Sequence, residues 1–314
     1  MDRVGSSGSI RVRVEQCPAC GGGAFVHRRH FSTMTVVSCQ GCGLAFQNPQ
    51  PADDELRKIY GPDYFIGSGA DRGRAAQFSV VKRGTARMQL RCIASYLRER
   101  GRVADRGRLV EIGCGRGNFL IEARSRGYAV QGVELSEDAA AHANEMLGAG
   151  SVMVGTTSSI NLPSESYDVC VLADVIEHVR DPHATIAYVH RILKPGGLVF
   201  ISTPSTASWS ARLMGSSWMQ FKLEHLFYFD PRSLTRLLAR AGFRDTKTRN
   251  GWKSLTADYI AGQFEKYPVP GISAAVRAAN RLLPRGVRER PIPVMAGGIY
   301  VLGLKGEPSR ISKS

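Results

Sequence analysis

From Arg108 onward, short apolar runs alternate with longer stretches of helical period, the pattern of strands separated by helices. Apolar runs near 109–112, 129–133, 151–154, 167–172 and 197–203 predict strands. Between them, helices are expected near 117–126, 136–147 and 182–193, with Ser136 capping the second. A helix over 231–241 starts with Pro231 and ends at Gly242, residues suited to those ends. Two further strands, near Phe243–Arg249 and Ile299–Leu304, bring the total to seven and predict an α/β fold around a mostly parallel sheet. About fifty residues separate these last two strands, more than a hairpin needs. Within them Ile272, Val276, Ala279 and Leu283 recur at helical spacing beside Arg277 and Arg281, which suits a lid, an oligomer contact or a basic helix touching membrane.

Upstream the pattern changes. Asp53–Tyr60 reads as a short helix, Gly61–Arg74 as a mobile loop, and Ala75–Arg100 as an amphipathic helix with Met88, Leu90, Ile93 and Leu97 on its apolar side. Before these lie Cys17-x-x-Cys20 and Cys39-x-x-Cys42, separated by eighteen residues. Each pair can aim two thiolates at one ion, and two pairs complete a tetrahedral sulfur site of the structural zinc type. Pro18, Gly21, Gly41 and Gly43 suit the tight turns. The intervening Phe25–Val37 can form only a hairpin with little core, a deficit that metal binding makes up. His27 and His30 are expected at the hairpin surface, and Cys92, Cys114 and Cys170 as small apolar fillers.

The segment Val110-Glu111-Ile112-Gly113-Cys114-Gly115-Arg116-Gly117 is a strand ending in an acid, followed by glycines at alternate positions. Such a turn lets a ligand lie against bare backbone. About twenty residues on, the next strand ends in Glu134, where a carboxylate can accept both ribose hydroxyls. The spacing differs from the dinucleotide fingerprint and resembles motif I of the class I S-adenosylmethionine-dependent methyltransferases. The resemblance continues through Tyr167–Leu172, the DVIEHV stretch Asp174–Val179 with Asp181-Pro182, and Leu193-Lys194-Pro195-Gly196-Gly197-Leu198, covering about Arg108 to Leu304. It implies a Rossmann-like seven-stranded sheet and S-adenosyl-L-methionine as cofactor. The contacts it implies are Glu111 for the methionine amino group, Gly113, Cys114, Gly115 and Gly117 in the loop, Glu134 and Leu135 after the second strand, and Ala173 at the fourth. No carboxylate follows the third strand, so Thr156, Thr157 or a backbone group would have to meet the adenine edge.

The run from Cys42 to Pro49, followed by Leu56–Tyr60 and Tyr64-Phe65, resembles the zinc-ribbon lead-in of bacterial methyltransferases of natural-product, sugar and polysaccharide biosynthesis. These resemblances divide the chain into a disordered tail (1–14), a zinc ribbon (15–50), a helical lead-in and lid (51–106), and a methyltransferase domain (107–314) with a helical insertion near 252–292.

Methyl transfer from a sulfonium chiefly requires alignment of the acceptor and removal of a proton. Asp174, Glu177 and His178 stand at i, i+3 and i+4, one face of a helical turn, and His225 follows in Lys222–Phe227. Three readings stay open: His178 or His225 is a general base; all four residues hold a second divalent metal, as in small-RNA and ubiquinone-pathway methyltransferases; or they only position and pack. Trp209, Trp218, Phe221, Phe227 and Tyr228 either wall an acceptor site or pack the core.

With 314 residues, 43% hydrophobic and 22% charged, the chain is of ordinary globular composition. It has no apolar run of about 20 residues, and MDRVGSSGSI lacks the apolar core of a secretion signal, so a cytoplasmic protein with unpaired cysteines is expected. The acceptor is expected to be a small molecule such as a sugar or secondary metabolite, methylated on oxygen, with carbon next. A net charge of +15 keeps nucleic acid, as substrate of an RNA methyltransferase, as the alternative partner. A non-catalytic cofactor-binding assembly protein is a second alternative, and oligomerisation is left open.

Overall fold

The computed structural model describes residues 11–59, 75–103 and 106–306. Three short strands open it, β1 (Phe25–His30), β2 (Thr35–Cys39) and β3 (Ala45–Gln47), followed by helices α1 (Asp53–Ile59) and α2 (Ala75–Arg98). The alternating part runs β4 (Gly107–Ile112), α3 (Asn118–Arg124), β5 (Tyr128–Glu134), α4 (Glu137–Leu147), β6 (Val152–Val154), β7 (Tyr167–Ala173), α5 (Pro182–Ile192) and β8 (Leu193–Pro204). Then come α6 (Trp209–Met214), β9 (Phe227–Tyr228), α7 (Pro231–Arg240), β10 (Phe243–Leu255), α8 (Ala257–Lys266), α9 (Ile272–Leu282), α10 (Arg285–Arg288) and β11 (Ile292–Lys305).

Seven strands form one sheet in the order β10-β11-β8-β7-β4-β5-β6; β4 to β8 are parallel and the β10–β11 edge is antiparallel. The Rossmann-like expectation holds. Strand alternation divides the core: Val110, Ile112, Cys170 and Leu172 face one layer, while Leu109, Val169 and Val171 face the layer holding Leu90, Ile93, Tyr96 and Leu120. Local chemistry fixes the helix starts. Ser136 accepts from Ala139 N, Asp181 accepts from Ala184 N ahead of Pro182, and Asp230 and Ser233 form a capping box around Pro231. Arg83 and Arg87 converge on the buried carboxylate of Glu122 at 2.6 and 2.8 Å, tying α2 to α3.

The chain leaves β4 toward β5 and β6, then crosses back to β7 on the other side. This reversal opens a crevice at the carboxyl ends of β4 and β7, where ligands bind in open α/β sheets.

Two strands run further than the apolar pattern suggests. β10 reaches Leu255 and β11 starts at Ile292, so the helical insertion expected near 252–292 narrows to α8, α9 and α10 on the end of a long hairpin. The expected loop 61–74 and residues 1–10 of the expected tail lie outside the described residues. Of that tail, Val12 bridges to Gln50, and Val14 exchanges hydrogen bonds with the Asn48 side chain.

The cysteine-bearing strands do not stand apart. They form a second sheet, β1-β2-β3-β9, whose fourth strand comes from residues 227–228, and Cys17, Cys39, Leu44 and Phe46 share one core layer with Phe227, Phe229 and Leu234.

Candidate functional site

The glycine loop bends at the β4 terminus. Gly113 N and Cys114 N both reach Val133 O, at 2.7 and 3.3 Å. Gly113 has φ 69°, and a Cβ there would lie 2.5 Å from Val175 Cγ2, so only glycine fits. Gly117 sits at the N-cap of α3. Cys114 packs its thiol over Gly132, filling space as expected.

Glu134, at the end of β5, spans the loop. Gly115 N donates to its Oε2 at 2.7 Å and Ser136 N to its Oε1 at 2.9 Å. The buried Glu111 lies one strand away, and its Oε2 has no hydrogen-bond partner among the described residues. Burial, reinforced by Glu134, raises the Glu111 carboxyl well above the usual range. A ligand cation would reverse that and satisfy the orphaned oxygen. Leu135 follows Glu134 with 58% of its surface exposed, an apolar side chain open to a planar ligand. Thr156 is spent within its own turn, where its hydroxyl meets Ser158 Oγ at 2.8 Å and its N donates to Ser159 Oγ. Ala173 is half-buried at the end of β7.

Across the crevice, the structure brings three of the four proposed reaction residues together. Ligand atoms of Glu177, His178 and His225 all lie within 4.8 Å of one another. The imidazoles meet edge-on at 4.7 Å, and His178 Nδ1 contacts Glu224 O at 3.0 Å. Asp174 stands apart. It has φ 56°, so Asp174–His178 is not the helical turn the spacing suggests; only 176–178 turn. Its carboxylate accepts from Lys253 Nζ at 2.6 Å and Ser202 Oγ at 3.2 Å. Burial opposes that charge, but Lys253 and Lys82 outweigh it and hold Asp174 down at about 2. Lys253 is the residue that sequence reasoning missed, because a lysine on a polar edge strand carries no signal of its eventual partner.

Glu177 and the histidines are neutral near pH 7. Burial, with Asp174 nearby, pushes Glu177 up to about 8; burial pulls His178 down to about 4 and, with His178 and Lys222, takes His225 well below its ordinary value. Because the folded protein keeps a proton on Glu177 that the unfolded chain releases above about pH 4.5, this contribution favours folding least as pH rises toward 8. Glu177→Gln should therefore melt higher than the metal-free wild type at pH 8, by on the order of 2 kcal/mol, with the difference fading at pH 5. Thermal scans at the two pH values check this; an equal difference at both would show that Glu177 is ionised when buried.

The four N-terminal thiols also converge. Cys17 and Cys42 Sγ are 3.5 Å apart, as are Cys20 and Cys39 Sγ, and all four lie within 4.8 Å. That is close to the edge of about 3.8 Å for a sulfur tetrahedron around an ion bonded at ~2.3 Å, and far from a disulfide of ~2.05 Å. Burial raises Cys17 and lifts Cys42 to about 11, whereas Cys20, against its own burial, is lowered by the Gly22 backbone and its thiol neighbours. Arg236 and Arg240 of α7 donate to Gly41 O and Pro18 O at 2.9 and 3.0 Å, clamping both turns. His27 and His30 lie outside the cluster and exposed. Trp218, Phe227 and Tyr228 are buried in the core, whereas Trp209 is 54% exposed with its Nε1 on Met295 O.

A family model described as a methyltransferase domain matches residues 85–248, a little over half of the chain. The chain belongs to that family. Among curated proteins, this methyltransferase is similar to a ubiquinone biosynthesis O-methyltransferase of Saccharophagus degradans, with 38% identity over 117 residues, 35% of this chain and 48% of that protein. A malonyl-[acyl-carrier protein] O-methyltransferase of Serratia marcescens is 29% identical over 134 residues, 42% of this chain and 52% of that protein. The chain thus matches about half the length of these curated relatives. Among solved structures, a Haemonchus contortus phosphoethanolamine N-methyltransferase 2 superposes with a TM-score of 0.50 at 17% identity, covering 84% of this chain and 62% of that one, a likeness of fold alone. Among the described residues of this methyltransferase, no helix is long and apolar enough to cross a membrane.

Proposed function

We propose that the protein transfers a methyl group from S-adenosylmethionine to a small-molecule biosynthetic intermediate such as a sugar or secondary metabolite, on oxygen first and carbon second. The observation that carries this reading is the buried Glu111 Oε2, without a partner among the described residues, beside a glycine loop that Glu134 ties together. When bound, the sulfonium supplies an activated methyl group. Glu111 would hold the ammonium of the methionine moiety against the Gly113–Gly117 backbone, and Glu134, held by two amides, would accept the ribose hydroxyls. Leu135 and Thr156 would border the purine, and Ala173, at the end of β7, would line the donor site.

His225 or His178, neutral in its buried setting, takes the proton from the acceptor hydroxyl. The same two rings and Glu177 could instead hold a divalent ion that acidifies it, a second reading favoured by their common 4.8 Å envelope. Asp174, engaged by Lys253, would then help through charge alone. A structural zinc ion is assigned to Cys17, Cys20, Cys39 and Cys42. Oxygen as acceptor agrees with the O-methyltransferase names of both relatives. The RNA alternative loses support because two of the arginines found between residues 98 and 108 are engaged within the fold, Arg100 with Asp245 and Arg102 with Gly196 O. The cytoplasm is the proposed location.

Calorimetric titration with S-adenosylmethionine, followed by a labelled-methyl screen across sugars, polyketides and RNA, tests the assignment. Glu134→Ala should weaken donor binding roughly 30- to 100-fold, the cost of losing hydrogen bonds from two hydroxyls to a charged acceptor. Unchanged affinity in that variant, or no binding by the wild type, would remove the basis of the proposal.

A further inference from the structure

We propose that Gln47, on β3 of the cysteine-bearing sheet, is a positioning residue for His225, which makes that sheet one wall of the reaction site. The inference rests on the role proposed above for His225.

β9 starts two residues after His225, and its partner is β3, with Ala45 opposite Tyr228 and Phe46 opposite Phe227. Gln47, the next residue, is completely buried. Its backbone N donates to Leu226 O at 2.9 Å. Its side-chain Nε2 lies 2.8 Å from His225 O and 3.0 Å from both Lys222 O and Leu223 O, with the Tyr228 hydroxyl at 3.4 Å. The segment 222–226 folds back on itself and brings these carbonyls together at Gln47, with the bond to His225 O fully buried and those to Lys222 O and Leu223 O partly so. The amide shares its two protons among these carbonyls, with the Tyr228 hydroxyl and His225 N also donating to Lys222 O, and no apolar side chain could replace it.

The other side of the segment is fixed independently. Leu226 N and Phe227 N both donate to Glu177 O, at 2.8 and 3.1 Å. His225 is therefore held between Gln47 and the turn carrying Glu177 and His178, which sets the edge-on contact of the two imidazoles. Phe46 continues the connection, touching Phe25 at 5.0 Å and Phe227 at 5.9 Å between ring centres. Only four residues separate Cys42 from Gln47, so the geometry of the second cysteine turn reaches the His225 backbone over a short length of chain.

Hydrogen exchange on the full chain, wild type against Gln47→Ala and Gln47→Met, tests the inference. The methionine keeps nearly the same volume and loses the donors, and it carries the readout should the alanine variant not fold. Amides of Leu226 and Phe227 should exchange at least ~10-fold faster in the variants, while β4 and β7 keep their protection. In carbon-detected spectra of histidine-labelled protein, the His225 ring signals should move and those of His142, on α4, should not. Binding of S-adenosylhomocysteine, the probe for the cofactor crevice, should stay within about threefold. A residue that merely stabilises the fold would lower the melting temperature and speed exchange throughout. Unchanged protection at 226 and 227 with unmoved His225 signals in a folded variant overturns the positioning role. Failure of the wild type to bind S-adenosylhomocysteine would instead overturn the reading of the crevice.

Discussion

His225→Ala is expected to slow methyl transfer roughly 100- to 1,000-fold, the usual worth of a general base, with donor affinity within about threefold of wild type. The imidazole is buried, edge-on to His178 and within 4.8 Å of a Glu177 carboxylate oxygen, and its backbone is hydrogen-bonded apart from the glycine loop among the described residues. Burial, His178 and Lys222 together keep the ring unprotonated far below the pH at which a free histidine titrates. The wild-type rate should therefore lack the customary inflection near pH ~6.5. Initial rates with labelled donor, measured between pH 5.5 and 8.5 on the acceptor found by the screen, read out both effects. A variant that turns over as fast as wild type would remove His225 from the chemistry and return the histidine pair to packing.

Cys39→Ser is expected to have the largest effect on stability. Cys39 is 2% exposed and belongs to the core layer that also contains Phe46, Phe227 and Phe229. Losing one of four thiolates should weaken the metal site enough that its ~10 kcal/mol or more of binding free energy no longer supports the surrounding strands. The damage should spread along β2 and β3 into β9. The variant should hold little zinc by elemental analysis and melt more than about 10 °C below wild type. Cys92→Ser, a change at a half-buried thiol on α2 away from the cluster, is the control and should melt close to wild type. If Cys39→Ser keeps both its metal content and its melting temperature, the thiols are not a structural site.

Much of the parallel sheet could be read from residue order because its signals are local. Ser136, Pro231 and Gly242 mark helix ends through their own backbone chemistry, and the buried strands are short apolar runs. The glycine loop and Glu134 were legible for the same reason, since each requirement falls on one residue. The edge hairpin was less legible. β10 is largely polar and β11 has a proline as its second residue and carries paired glycines, so only their mutual ladder makes them strands as far as Leu255 and Ile292. At Gly251 that ladder brings Gly298 within 2.8 Å of where a Cβ would stand.

The proposed reaction residues were legible by type and not by arrangement. Asp174 looked equivalent to Glu177 and His178 by spacing, but its left-handed backbone and a lysine 79 positions later take its carboxylate elsewhere. Likewise Gln47 resembles any polar residue after a cysteine turn. Its significance depends on carbonyls 175 to 178 positions away, a pairing that periodicity cannot encode.

That long separation has a consequence for synthesis. As the chain leaves the ribosome, β3 emerges with one edge bare, and at ordinary translation speeds of about 5–20 residues per second its partner appears roughly 10–40 s later. For that interval the nascent segment presents unsatisfied amides and carbonyls and the exposed face of Phe46, a template for association with foreign chains. An ion captured early by the four sulfurs would brace the segment through this wait, so zinc starvation should lower the yield of soluble protein more than the stability of molecules already completed.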